Sequence, residues 1–214
     1  KSPIIDKEAI RTELQKLEYP LFFLDFETDG PAVPRFDGMR PFEQFPFQFS
    51  CHVLDKDGEL TQSEYLHDSL TDPRQALGEA LVSAIGPTGS IIAFNAPFEI
   101  RFIKNLAQWI PELAPDLLEM TNRFWDQLPI FQKHYVDYRF LGSASIKDVL
   151  PILVSSLSYS DLNVSDGTAA QASWNNMINE SDPESKEKLR QDLLEYCGQD
   201  TYAMVEIHRV LMNL

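Results

Sequence analysis

Two acidic residues lie two positions apart in a short apolar segment near the start of the chain. Asp25 and Glu27 stand in residues 21–28, an aromatic-rich run that ends at Asp29-Gly30-Pro31 and is typical of a buried strand followed by a turn. Because side chains alternate across a strand, both carboxylates point to one face. Adjacent carboxylates repel each other, but they form a natural clamp for Mg²⁺ or Mn²⁺. The pair therefore predicts a divalent cation site; the alternative is an edge strand with one solvated face.

A third carboxylate interrupts an apolar helical stripe near the end of the chain. The stripe begins at Leu189, and Asp200 lies on it four residues after Tyr196. A carboxylate in such a stripe is costly unless it is paired or binds a cation. We therefore expect this helix to present Tyr196 and Asp200 together to a positive group. The alternative is a structural aspartate that a backbone N–H or an arginine holds at the rim of the core.

The middle of the chain supplies a fourth acid, Glu99. A short apolar strand starts at Ile91, and Asn95 follows it as a plausible helix N-cap, with Pro97 tolerated in the first turn. Glu99 then lies one turn into a helix that begins at the carboxyl end of a strand. A glutamate in a first turn also complements the helix dipole, so Glu99 by itself has a structural explanation as well as a functional one.

Taken in order, these segments resemble the motifs of the DEDD 3′–5′ exonucleases of the ribonuclease H-like superfamily. Asp25-Phe26-Glu27-Thr28 resembles the first motif, Asp-x-Glu-Thr. Asn95-Ala-Pro-Phe-Glu99 resembles the second motif, Asn-x-x-Phe-Asp, with glutamate in place of the aspartate. Tyr196-Cys-Gly-Gln-Asp200 resembles the third motif of the tyrosine subgroup, Tyr-x-x-x-Asp. The resemblance runs from about residue 20 to the end.

This resemblance implies a fold, an activity and a set of ligands. The fold would be α/β, a ribonuclease H-like mixed β-sheet flanked by α-helices. The activity would be metal-dependent hydrolysis at the 3′ ends of single-stranded DNA or RNA, which releases nucleoside 5′-monophosphates. Two Mg²⁺ or Mn²⁺ ions would be held by four acids, and a tyrosine would orient the attacking water. The implied metal ligands are Asp25, Glu27, Glu99 and Asp200, and the implied tyrosine is Tyr196.

The glutamate at position 99 and the negative net charge are also compatible with functions other than an exonuclease. The longer glutamate side chain would either weaken binding of the second ion or require the helix to shift, since the geometry of such a site tolerates about 0.5 Å. Asp126 and Asp148 are further acids that could contribute to the site, although we interpret both as caps or surface residues. A net charge of −15 is unusual for a nucleic-acid binder. A ribonuclease H-like binding module without turnover, within a larger assembly, is therefore the main alternative, and an internal-cutting nuclease is a third. Candidate phosphate contacts are Arg35, Arg40 and Arg101.

A closer resemblance is to an uncharacterised bacterial family, domain of unknown function 2779. It rests on Gly142–Pro151 and on Tyr159–Gly167. The resemblance implies that a RecB-like nuclease domain precedes this one in a longer protein. The chain begins with Lys1 rather than methionine, which we interpret as an excised domain.

The composition and the absence of several known motifs indicate an α/β domain and exclude some other classes of protein. The chain has 214 residues, of which 43% are hydrophobic, enough for one α/β domain with an ample core. It shows no signal peptide and no apolar run near the ~18 residues of a membrane span. Cys51 and Cys197 suggest free thiols in a reducing cytoplasm. No zinc spacing, nucleophile elbow or phosphate-binding glycine loop is present.

Hydrophobic periodicity and turn residues predict the elements that must position the acids. Residues 1–18 form an N-terminal lead-in with a helix over 5–18, and residues 19–214 form the ribonuclease H-like domain. The segment 31–46 is a loop whose phenylalanines either stack on bases or plug the core edge. Asp57-Gly58 joins a strand pair, and 179–188 is an exposed connection to the last helix. The remaining predicted elements are strands 47–55, 60–67 and 122–126 and helices 73–85, 145–155 and 167–179, the last capped by Asp166.

Overall fold

The structure is a computed structural model that describes residues 2–160 and 162–214, so Lys1 and Asp161 lie outside the described residues. The strands are β1 (Ile4–Ile5), β2 (Leu21–Asp29), β3 (Phe45–Leu54), β4 (Leu60–Leu66), β5 (Ser90–Ala93), β6 (Phe124–Asp126) and β7 (Tyr135–Val136). The α-helices are α1 (Lys7–Leu14), α2 (Arg74–Ala84), α3 (Ala96–Trp109), α4 (Ala114–Met120), α5 (Ile146–Leu153), α6 (Gly167–Asn179) and α7 (Pro183–Met212).

Five of the strands form one mixed sheet in the order β4-β3-β2-β5-β6. β2 pairs antiparallel with β3 and parallel with β5, and β6 continues the parallel half. β4 is antiparallel to β3, so β3 alone runs against the other four strands. Helices cover both faces of the sheet, which confirms the predicted α/β class. β2 is the central strand, and the edge-strand interpretation of its two acids is therefore wrong.

The two faces of β2 differ in what covers them. Phe22, Leu24 and Phe26 join an apolar cluster with residues of α2 and α3. Leu21 and Phe23 face the other way and pack with Met204 and Val205 of α7. Because side chains alternate along a strand, Asp25 and Glu27 continue the face that α7 covers. The carboxylates therefore lie between the sheet and the last helix, away from the larger apolar core.

Most element predictions are confirmed, some with shifted ends. The hairpin of β3 and β4 turns at Gly58, which has φ +89°. α6 begins after Asp166, whose side chain accepts a hydrogen bond from the Ala169 N–H at 2.9 Å. β3 starts at Phe45, so the predicted loop 31–46 is shorter at its carboxyl end. In that loop Phe36 packs edge-on against Phe45, whereas Phe42 is 72% exposed.

Two predictions about the helices are wrong. The N-terminal helix spans only Lys7–Leu14, and Ile4–Ile5 ahead of it pairs with β7. Ile10 of this helix is buried, so the N-terminal segment packs on the rest of the fold. The predicted exposed connection 179–188 is mostly helix, because Asp182 caps Ser185 and Pro183 opens α7. The first six residues of α7, 183–188, are mostly polar, so they show no apolar periodicity from which a helix could be predicted.

Four short elements between residues 110 and 141 were not predicted, although the strand found as β6 was. They are α4, a π-helical turn at Ile130–His134, β7 and a 3₁₀ turn at Tyr138–Phe140. Each is too short to show a clear hydrophobic period. In residues 2–160 and 162–214, none of the helices combines the length and the apolar character that crossing a membrane requires.

Gly89 allows a close approach of two chain segments at the start of the central strands. Its φ is +98°, and a Cβ there would stand 2.1 Å from the carbonyl oxygen of Pro20. We expect Gly89→Ala to destabilise the protein by about 3–5 kcal/mol, because the backbone before β2 would have to move. Gly58→Ala is the matched control, since Gly58 has φ +89° but open space around it. Thermal unfolding of the two variants side by side measures the difference; equal losses would contradict the expectation.

Candidate metal centre

The two carboxylates of β2, Asp25 and Glu27, lie next to the thiol of Cys197 on α7. The ligand atoms of Asp25, Glu27 and Cys197 all lie within 4.8 Å of one another. The Cys197 Sγ lies 3.8 Å from the Asp25 carbonyl oxygen and 3.9 Å from Asp25 Oδ2. Cys51 and Cys197 are both buried free thiols, as predicted. α7 therefore reaches the sheet directly at the acidic pair.

Hydrogen bonds from β3 fix α7 over the sheet. Ser50, which pairs with Asp25 in the strand register, bonds Thr201 at 2.8 Å between hydroxyl oxygens. Gln48, opposite Glu27, donates through Nε2 to the Leu193 carbonyl oxygen at 2.8 Å. The β2–β3 register shifts directly after Glu27, and such irregularities commonly re-aim side chains beside functional sites. Sheet and helix are thus held in a defined register at the acids.

Asp200 projects from α7 into the same region. It is buried, and the Tyr159 hydroxyl donates to its Oδ1 at 2.6 Å. Within the described residues, the partner of this carboxylate is a tyrosine hydroxyl, whereas the structural alternative drawn from the sequence named a backbone N–H or an arginine. Tyr196, one turn earlier, is also buried. Asp200 and Tyr196 therefore face the same region, as their spacing predicted.

Lys147 and Tyr159 belong to the centre although neither was a candidate from the sequence. Lys147 Nζ, on α5, donates to Tyr196 Oη at 3.1 Å and to the Ser165 carbonyl oxygen at 2.5 Å. The same ammonium lies 5.1 Å from the Tyr196 ring centroid and 5.4 Å from that of Tyr159. The available signal was the resemblance of Gly142–Pro151 and Tyr159–Gly167 to one family, since these two stretches contain them.

Glu99 lies on a third element, in the first turn of α3. It is 2% exposed, and its Oε2 has no hydrogen-bond partner among the described residues. Asn95 stands at the N-cap as predicted, but with φ 85° and without a side-chain cap bond. Asp126 holds this junction instead, accepting from the Asn95 and Leu128 N–H groups at 2.9 and 3.0 Å. Asp126 is thus a cap, and Asp148 is exposed on α5.

Burial raises the pKa of all four acids, and repulsion by a neighbouring carboxylate adds to the rise at Asp25, Glu27 and Glu99. Burial, followed by the charge of Asp200, holds the pKa of Asp25 well above its usual range. Burial and the charges of Asp25 and Asp200 do the same to the pKa of Glu27. Burial and the charge of Asp25 raise the pKa of Glu99 to about 9. Glu99 therefore interacts electrostatically with Asp25, although it is not part of the 4.8 Å group.

Asp200 is the acid that its surroundings keep most easily ionised. Burial raises its pKa to about 6, while the hydrogen bond from Tyr159, the charge of Lys147 and the neighbouring Tyr196 hydroxyl oppose the rise. Burial and the charge of Asp200 raise the pKa of Tyr196 above its ordinary value, so this phenol keeps its proton at neutral pH. Tyr196 can therefore position a water molecule but is a poor base.

This donor set fits a hard divalent cation. Carboxylate oxygens are the ligands that Mg²⁺ and Mn²⁺ prefer, and a buried oxygen without a partner, as in Glu99, is a group that a cation or its water would satisfy. Of the three candidate arginines, Arg35 and Arg101 have other side-chain contacts. Arg35 bonds Asn175 and lies 3.4 Å from Asp29, and Arg101 donates to Gln44 at 3.0 Å. The backbone N–H of Arg40 donates to Glu43 at 2.7 Å.

The raised pKa of Glu99 makes stability depend on pH. Its pKa rises from 4.5 to about 9 on folding, so the folded protein binds more protons than the unfolded chain between these values, and stability falls as pH rises through that window. Without metal, we expect the melting temperature to fall from pH 7 to pH 9, because below pH 7 the buried His52 and His208, whose pKa burial lowers to about 4, have the opposite effect on stability. Glu99→Gln should remove up to ~1.4 kcal/mol of this loss per pH unit.

Calorimetry in EDTA checks the slope, and the exposed Glu112→Gln variant is the control. A slope that Glu99→Gln leaves unchanged would show that Glu99 does not hold a proton in the folded state.

Fold and centre together define an α/β protein with a buried carboxylate cluster between its central strand and its last helix. The chain belongs to the family described as Domain of unknown function (DUF2779), whose family model matches residues 22–145, more than half of the sequence. The match includes Asp25, Glu27 and Glu99 and ends before Lys147, Tyr196 and Asp200. No curated protein and no solved structure matches the chain.

Proposed function

We propose that this protein is a metal-dependent 3′–5′ exonuclease of the DEDD type, on a ribonuclease H-like fold. One observation carries the proposal: carboxylates from β2, α3 and α7, far apart in sequence, lie close enough that the charge of Asp200 raises the pKa of Asp25 and the charge of Asp25 raises the pKa of Glu99. Such a cluster destabilises the folded protein, and a bound cation would remove the repulsion between its carboxylates. The central position of β2 and the reversed direction of β3 support the ribonuclease H-like assignment.

The residues of the centre have distinct proposed roles. Asp25, Glu27, Glu99 and Asp200 would hold two Mg²⁺ or Mn²⁺ ions, which when bound lower the pKa of a water molecule and stabilise the leaving 3′-oxygen. Tyr196 keeps its proton and orients the attacking water. Tyr159 fixes the orientation of Asp200 by its hydrogen bond to Oδ1. The substrate would be the 3′ end of single-stranded DNA or RNA, and an upstream RecB-like nuclease domain is the proposed neighbour.

The decisive experiment is digestion of a 5′-labelled single-stranded oligonucleotide, as DNA and as RNA, in Mn²⁺. We expect a ladder that shortens from the 3′ end, and we expect Asp25→Ala and Asp200→Ala to abolish it. A circular single strand should stay intact, because an exonuclease needs an end; cleavage of the circle would instead indicate an internal-cutting nuclease. The comparison of DNA with RNA identifies the substrate.

A binding module without turnover is the second candidate, and the net charge of −15 and the glutamate at position 99 favour it. Thermal stabilisation by Mn²⁺ separates the two functions. A catalytic centre should gain stability from Mn²⁺, and Asp25→Ala should remove the gain. Absence of both stabilisation and cleavage in the wild-type protein would overturn the exonuclease proposal in favour of the module.

A further inference from the structure

Lys147 is a cation placed among carboxylates without an ion pair to any of them. Its charge lowers the pKa of Asp25, Glu27 and Asp200. The ion pairs of the described residues nevertheless do not include it. A lysine that served only to neutralise the cluster would contact one of these acids, because direct pairing gives the largest Coulomb energy. Lys147 is held short of that contact.

Neutral groups hold the ammonium in this position. Two of its three N–H donors are accounted for by Tyr196 Oη and the Ser165 carbonyl oxygen. The rings of Tyr196 and Tyr159 lie within the distance at which a cation interacts with an aromatic face. Among residues 2–160 and 162–214, these contacts orient the side chain but leave its charge without an ion-pair partner and its third donor available to a ligand.

We propose that Lys147 binds a non-bridging oxygen of the phosphate group that the centre cleaves. This inference rests on the proposed function and names a contact to its substrate. Cations bound by the four acids would cancel the negative charge that now attracts Lys147. The ammonium would then be free to bind the negatively charged phosphate of a substrate. Lysine is a common phosphate ligand because its ammonium is a compact point charge. Tyr196, which bonds Lys147, would place the attacking water beside the same phosphate.

The test compares Lys147→Met with wild type in Mn²⁺, by calorimetric titration with thymidine 5′-monophosphate and with thymidine. Loss of one charged hydrogen bond should weaken binding of the monophosphate about tenfold to a hundredfold and leave thymidine binding unchanged. Stabilisation by Mn²⁺ should persist or increase, because the lysine forms no ion pair with the carboxylates that the structure describes and its charge opposes the cation. Lys147→Arg should recover part of the monophosphate affinity. Lys104→Met, an exposed lysine on α3, is the matched control.

The outcomes separate this inference from the function on which it rests. If wild type and Lys147→Met bind the monophosphate equally, Lys147 is not a phosphate ligand, whatever the nuclease assay shows. If Lys147→Met loses its Mn²⁺ stabilisation, the lysine has a structural role and the inference is also overturned. If wild type binds no Mn²⁺ at all, the proposed function fails, and the phosphate contact fails with it.

Discussion

Replacing Asp25 with asparagine is expected to stabilise the metal-free protein and to abolish its nuclease activity. The carboxylate is confined with Glu27 and Cys197, and its charge opposes ionisation of Glu27 and Glu99. The amide has nearly the same shape and no charge, so the repulsion disappears. We expect a gain of about 1–3 kcal/mol at pH 8 and a smaller gain at pH 5, where the acids hold their protons.

Activity should change in the opposite direction. An amide cannot replace a carboxylate that binds a cation, and cleavage in Mn²⁺ should fall by at least ~10³-fold, equivalent to about 4 kcal/mol of transition-state stabilisation. Thermal unfolding in EDTA and the oligonucleotide assay measure the two effects on one preparation. The exposed Asp148→Asn variant should change neither. A metal-free Asp25→Asn protein that is less stable than wild type would indicate that the aspartate has a structural role.

Removing the Tyr159 hydroxyl is expected to weaken metal binding in a pH-dependent way. Tyr159 donates to Asp200 Oδ1 at 2.6 Å and favours the charged form of that acid, whose pKa is about 6. In Tyr159→Phe the pKa of Asp200 should rise, so less of the carboxylate is ionised at neutral pH. Affinity for Mn²⁺ should fall about tenfold to a hundredfold at pH 7, and it should recover partly at pH 8–9.

Titration with Mn²⁺ at pH 6, 7, 8 and 9 tests this second expectation. The recovery at high pH distinguishes lost ionisation from lost structure, because a misfolded centre would bind poorly at every pH. Tyr138→Phe is the control, since that ring is 57% exposed. Wild-type affinity in Tyr159→Phe across the whole range would show that the hydroxyl leaves Asp200 when a metal ion binds.

Local sequence carried much of the information about the elements. A buried run with turn residues identified β2 within one residue, and Asp166 marked the start of α6. Both signals are local, because apolar alternation and N-capping depend on residues a few positions apart. Predictions were wrong where the local sequence carries little of this signal. Polar residues opened α7 at Pro183, and the strand at Ile4–Ile5 exists only because β7 lies beside it.

The acids of the centre were also visible in the sequence. A carboxylate pair on an apolar strand and Asp200 in an apolar stripe are anomalies because burial of charge is costly. No such cost marks a lysine next to an aspartate or a tyrosine between two serines. Lys147 and Tyr159 therefore did not stand out, although their side chains contact Tyr196 and Asp200.

The sequence by itself determined which side chains carry an anomalous charge and which strand and helices present them. Tertiary structure alone decided how those charges meet. Packing of α7 on β2 places Cys197 against Asp25, docking of α3 buries an unpartnered oxygen of Glu99, and the loop before α6 places Tyr159 on Asp200. The physical reason is the distance over which each effect operates. Hydrophobic periodicity is a property of residues within one element, whereas the pKa of a carboxyl group depends on every charge and every buried surface around it.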